Sequence, residues 1–192
     1  MVFAAAVLLT SAIQPFEDFP KYRLEAQKPI GYDVTMSIDG KPDVKIGGQF
    51  AILPNTKRPK DWDLDLIYQS DLKMGNQTES KRYRLNLIVD ERLWPTAIAG
   101  GELIFVEQFL ACLMLPTGPS QVVKNGGKST TRTSTMKVDG DTITLTTKID
   151  SPDQKSEIVQ VYSNKLGYIT NAKSKVNLKG TTFNTELTPI KE

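Results

Sequence analysis

Apolar residues recur at every second position through most of this chain. Tyr32, Val34, Met36 and Ile38 fall on one side, with Asp33, Thr35, Ser37 and Asp39 between them. Trp62, Leu64, Leu66 and Tyr68 repeat the pattern, as do Tyr83, Leu85, Leu87 and Val89. A β-strand turns successive side chains to opposite faces, so a period of two denotes strands with one dry and one wet face. Such faces are stable only when the dry side is covered, which makes antiparallel sheet the governing constraint.

The punctuation between these runs predicts the hairpins. "DGKPD" at 39–43 reads as a turn, and Val44, Ile46, Phe50 and Ile52 as the strand that returns from it, bulged or bent at Gly47-Gly48. Leu53 to Lys60, with two prolines, reads as a loop, and "KMGNQTES" at 73–80 as the loop of a hairpin between 62–72 and 79–89. The strongest local signal is the Asp139-Gly140 turn inside "STMKVDGDTITLTTKI". With the runs at 158–162, 168–178 and 183–187 the count comes to about ten strands. Several exceed the usual length, which suits a strongly curved sheet, half-barrel or open barrel.

One segment breaks the period. Ala97 to Leu115, "AIAGGELIFVEQFLACLML", does not alternate; with Glu102 near its start and Pro116 beyond its end it predicts an apolar helix over about 101–115, buried against the sheet. It divides the strands into a group of four and a group of five or six. No linker-like stretch separates two units, so residues 15–192 are expected to form one mostly β domain. Residues 1–14 carry the apolar run Val2–Leu9 followed by Thr10, Ser11 and Ala12, the marks of a secretory signal whose basic n-region is missing. The expected product is a soluble protein exported to the periplasm or beyond.

Composition removes several chemistries. There is no histidine, which excludes Ser-His and Cys-His nucleophile systems and histidine metal sites. Cys112 is the one cysteine, so neither an internal disulfide nor a thiolate-rich zinc site is open to the chain, and no disulfide-linked partner is expected. Lysine and arginine number 24 against 22 acids, a balance that points to neither nucleic acid nor an anionic membrane. Phosphate-loop, dinucleotide and nucleophile-elbow motifs are lacking, and no cofactor is expected.

The remaining candidates read as structure. In "DWDLDL", Asp61, Asp63 and Asp65 point the same way along a strand at spacings of about 7 Å, too far apart to converge on one cation. A hairpin register pairing Asp63 with Arg84 and Asp65 with Arg82 makes them a solvated charge ladder. Cys112, among Phe109, Leu110, Leu113 and Met114, reads as a small buried hydrophobe. Thr131, Thr133 and Thr135 share a side with Thr142, Thr144 and Thr146, as on an ordinary exposed face. Lys173, Lys175 and Lys179 suggest a protected edge strand, and Asn76-Gln77-Thr78 is a lone glycosylation sequon.

The order of signal, long alternating strands, mid-chain apolar helix and more strands resembles the periplasmic half-barrels that carry lipids or lipoproteins. The resemblance is one of architecture and transfers no residues. It suggests a non-enzymatic carrier whose apolar small molecule or lipid lies between the concave sheet face and the helix. Trp62, Leu64, Leu66, Tyr68, Tyr83, Leu85, Phe105, Phe109 and Met114 would line that space. The alternatives are a structural or interaction protein of the cell envelope with a filled core and a protein partner, and a histidine-free hydrolase using paired carboxylates.

Overall fold

The computed structural model describes residues 19–74, 76–100, 106–125 and 128–190, so the signal-like run at 2–9 and Phe105 lie outside the described residues. Five strands come first: β1 (Ile30–Ile38), β2 (Lys41–Lys57), β3 (Asp61–Met74), β4 (Gln77–Asp90) and β5 (Pro95–Gly100). The helix α1 (Val106–Leu113) follows, and then β6 (Ser120–Asn125), β7 (Lys128–Asp139), β8 (Thr142–Ser151), β9 (Gln154–Ser163), β10 (Tyr168–Leu178) and β11 (Thr181–Pro189). All belong to one sheet in the order β5-β4-β3-β2-β1-β11-β10-β9-β8-β7-β6, with antiparallel neighbours throughout. The expected class, long antiparallel strands with one apolar helix against the sheet, is what forms.

Two meanders meet along the β1–β11 ladder, where Tyr32 faces Pro189 and Ile38 faces Phe183. The chain leaves the first at one edge of the sheet and enters the second at the other. That route places α1 across the concave face. The curvature can be gauged from one contact. Trp94, just before β5, and Arg132, on β7, would stand roughly 40 Å apart in a flat sheet with ordinary strand spacing. Instead the Arg132 guanidinium lies 4.5 Å from the Trp94 ring centroid, so the sheet curls until its flanks nearly meet.

Several local expectations are corrected. β2 continues through Pro54 to Lys57, where a loop was expected from Leu53. Its register shifts between Pro54 and Thr56, so the ring that has no N–H to donate sits at a bulge and no regular ladder bond is lost. Gly47-Gly48 pairs regularly with β1 and β3; the other shift falls at Ser37/Ile38. β3 and β4 extend to Met74 and Gln77, closing the hairpin far more tightly than the eight-residue loop expected. The β7–β8 loop is Gly140-Asp141, with Asp139 and Thr142 as its closing pair. Gly140 has φ 57°, the left-handed conformation that such a two-residue hairpin loop requires.

The aperiodic segment is strand as well as helix. Pro95 to Gly100 pairs with β4, and α1 is described over Val106–Leu113; the expected helix start near residue 101 lies outside the described residues. β5 is an edge strand and proline is its first residue, a place where the missing N–H costs no ladder bond. Among the described residues the groups flanking α1 therefore hold five and six strands.

The core fills the concave side. Tyr32, Val34, Met36, Phe50, Ile52, Leu64, Leu66, Leu85, Leu87, Val89, Leu145, Ile169 and Leu187 are all buried there. An N-terminal strap, Phe19 to Leu24, crosses one mouth of the curl. The Tyr22 amide donates to Glu91 O at 2.8 Å and the Arg23 amide to Gly167 O at 2.8 Å, so adjacent residues bind the β4–β5 and β9–β10 turns. Phe19, Tyr22 and Leu24 are buried beneath it.

Candidate functional site

The seat of the helix is where the sequence pattern places an apolar ligand. A helix ends with carbonyls that have no partner within it, and buried ones must find donors elsewhere. Three side chains meet this end with four hydrogen bonds. The Tyr22 hydroxyl donates to Leu113 O at 2.9 Å. The Gln160 side-chain amide reaches Cys112 O at 2.8 Å and Met114 O at 3.0 Å. The Trp94 indole N–H donates to Leu115 O at 2.7 Å. The Leu115 amide in turn donates to Arg92 O at 3.0 Å. These contacts fix the C-terminal end of α1 to the strap, to β9 and to the loop before β5.

Further along α1, Phe109 projects into the apolar floor. Its ring lies 4.9 Å from that of Tyr68 and 6.4 Å from that of Phe50, both tilted. Tyr68 stacks on Tyr83 at 6.1 Å. Of the residues assigned to an apolar cavity, Trp62, Leu64, Leu66, Tyr68, Leu85 and Phe109 are buried. Tyr83 and Met114 are half-buried, and Phe105 falls outside the described residues. The structure thus brings most of them together, packed against one another around Phe109.

"DWDLDL" has the dry and wet faces expected and a different register. Trp62 faces Val89, Leu64 faces Leu87, Leu66 faces Leu85 and Tyr68 faces Tyr83. Asp65 lies opposite Asn86, and Arg84 opposite Ile67, so the expected Asp63–Arg84 and Asp65–Arg82 pairs do not form. The ion pair is diagonal: Arg84 Nη2 meets Asp65 Oδ2 at 2.6 Å. Asn55 donates to the same oxygen at 3.0 Å and Asn86 to Oδ1 at 3.2 Å. The Asp65 side chain is only 3% exposed on the wet face, which corrects the reading of a fully solvated ladder. The Arg84 hydrogen bond, reinforced by Asn55 and Asn86, holds its carboxyl down at about 2 against the opposing effect of burial. Asp63 is held separately, by Asn86 at 3.2 Å and Arg58 at 3.4 Å.

A concavity of about 1180 Å³ is lined by the polar residues Thr35, Asp71, Lys73, Lys155 and Lys175 together with Met36, Ile46 and Ile149, among others. Cross-strand partners share a face, so one row runs Ser37, Asn184, Lys175, Glu157, Lys148 and Thr133 over six strands. Its charges alternate: Lys148 pairs with Glu157 at 3.9 Å, and in the next row Lys173 pairs with Glu186 at 3.0 Å. β10, which carries Lys173 and Lys175, is an interior strand, so these lysines do not guard an edge; Lys179 lies beyond it in the turn, at φ 49°. The threonines at 131, 133, 135, 142, 144 and 146 share this face, broken by Lys137, Lys148 and Asp150. Cys112 is buried, and burial pushes its thiol up to about 11, which leaves it protonated and inert at neutral pH.

The second concavity, of about 30 Å³, lies at the seam where the flanks approach. Trp94, Met114, Gly118, Gln121, Arg132 and Ser134 help to line it. Arg132 and Gln160 are what sequence reasoning missed, and each carried a signal. Gln160 stands in phase with Ile158 and Tyr162, and Arg132 in phase with Ser134 and Met136, so both place a polar group on the dry side of a strand. No protein-family model matches this chain, and neither the curated proteins nor the solved structures offer a significant match to it.

Proposed function

We propose that this protein is a non-enzymatic interaction protein of the cell envelope, built on a filled core and engaging a protein partner through its surface. The observation that carries the reading is the seat of Phe109 between Phe50 and Tyr68, with the C-terminal carbonyls of α1 tied by Tyr22, Gln160 and Trp94. The broad concavity lined by Lys148, Glu157, Lys173 and Glu186 among others offers the larger recognition surface. A hydrolase reading draws no support from that face, where Glu157 and Glu186 are engaged by Lys148 and Lys173.

A second reading, the carrier of an apolar ligand, is favoured by one feature. Among the described residues the fixing hydrogen bonds of α1 lie at its C-terminal end, and the floor behind Phe109 is continuously apolar through Ile52, Leu64, Leu66, Leu85 and Leu87. Outward rotation of the helix would uncover a trough. Native mass spectrometry of the purified protein, with solvent extraction of the same sample, separates the two. The first reading expects a self-assembled or partner-bound species without lipid. A monomer carrying one apolar molecule per chain would overturn it in favour of the second.

A further inference from the structure

Arg132 projects from β7 onto the concave side of the sheet, next to Ile149 of β8 and Gln121 of β6. Its guanidinium lies 4.5 Å over the Trp94 ring. Its Nε is buried with no hydrogen-bond partner, and it forms no ion pair among the described residues. Partial burial of the side chain pulls its pKa down, and no counter-charge opposes that effect. The ring face offsets part of that cost, and an anion beside the half-buried guanidinium would offset more of it.

The adjoining cavity has the size and chemistry for one. About 30 Å³ is room for one or two waters, so a small spherical anion enters and a tetrahedral oxyanion does not. Its polar lining is neutral: Gln121, Ser134, Thr147 and Gln160 stand around Arg132, with no carboxylate among the described lining residues. Ser134 and Thr147 hydroxyls lie 3.0 Å apart, each able to turn its proton outward. We propose that this seam cavity binds one monovalent halide ion, chloride in practice, held by the Arg132 guanidinium and neighbouring hydroxyl and amide donors. Because Trp94 comes from one flank of the sheet and Arg132 from the other, the ion also tightens the seam between them.

The test is thermal unfolding of the full chain in sodium chloride against sodium gluconate at equal ionic strength. Chloride is expected to raise Tm by about 2–4 °C along a saturating curve, sulfate to give no such saturation, and Arg132→Gln to abolish the rise. An equal rise in Arg132→Gln, or one shared by chloride and gluconate, overturns the proposal. Bromide-soaked crystals of the unaltered protein need no variant: an anomalous peak between Arg132 and Ser134 is expected, and an empty seam overturns the site.

Discussion

Replacing Phe109 with alanine measures how firmly α1 is seated. The ring is fully buried, tilted against Tyr68 at 4.9 Å and Phe50 at 6.4 Å. Buried phenylalanine to alanine costs about 3–5 kcal/mol, from lost transfer energy together with the cavity left behind. The cost depends on how far the surroundings collapse. Here collapse is opposed, because the end of α1 is anchored by hydrogen bonds to Cys112 O, Leu113 O and Met114 O that inward movement would break. The upper half of that range, about 4 kcal/mol, is therefore expected. Total stability for a domain is about 5–15 kcal/mol, so the variant remains folded but loses a large fraction of it. At this chain length the equivalent fall in Tm is roughly 8–16 °C. Equilibrium urea unfolding followed by tryptophan fluorescence should show a lower midpoint with an unchanged slope. A loss below about 1 kcal/mol would refute the argument: α1 would then be a detachable cover, as a ligand carrier requires.

Two further outcomes follow from single residues. Asp65 is held at about 2 in the folded protein against 3.8 ordinarily, so its contribution is complete above pH 4 and is lost as pH falls towards 2. The displacement is worth at most about 2 kcal/mol, and nearer 1 because the Arg84 guanidinium is exposed to water and salt. Asp65→Asn should thus lower the urea midpoint at pH 7 and match the unaltered protein near pH 2; an equal deficit at both refutes the assignment. At Gly167, with φ 81°, an added Cβ would lie 2.6 Å from Arg23 Cβ in the strap, whereas at Gly140, with φ 57°, it would meet nothing. Gly140→Ala should cost about 1 kcal/mol for its backbone conformation alone, and Gly167→Ala about 2 kcal/mol or more. Equal melting temperatures for the two variants would show that the strap does not bear on Gly167.

Faces were legible in this sequence, and partners were not. Period-two alternation assigned Trp62, Leu64, Leu66 and Tyr68 to the dry side correctly, because a strand cannot turn one apolar residue inward without its i+2 neighbour. Register was missed by four residues, since Asp63 lies opposite Ile88 rather than Arg84. A slip by an even number preserves every face, so hydrophobic pattern cannot detect it, and the hairpin closed more tightly than its polar stretch suggested. The aperiodic segment concealed β5 because a short apolar run suits an edge strand as well as the first turn of a buried helix. The anchoring of α1 depends on residues far away in the chain. Tyr22 is 91 positions from Leu113, and Gln160 is 48 from Cys112. No local pattern announces a donor at that range; only a glutamine in phase with apolar neighbours hinted at one. The Asp65 cluster was half visible, since the acids were plain while the cover from Asn55 required the strand continuation through Pro54.

The ladder between β1 and β11 sets the order in which this sheet can be assembled. Every other pairing joins strands adjacent in the chain, so each meander can form from its own hairpins as it is synthesised. The joint between them brings Tyr32 against Pro189 across nearly the whole chain. It carries the largest loop-closure entropy in the fold and is the natural last step. Until residues 181–189 arrive, β1 presents a bare strand edge whose inward side chains are Tyr32, Val34 and Met36. A nascent or truncated chain is thus an open template for strand addition, and the hazard ends when β11 docks.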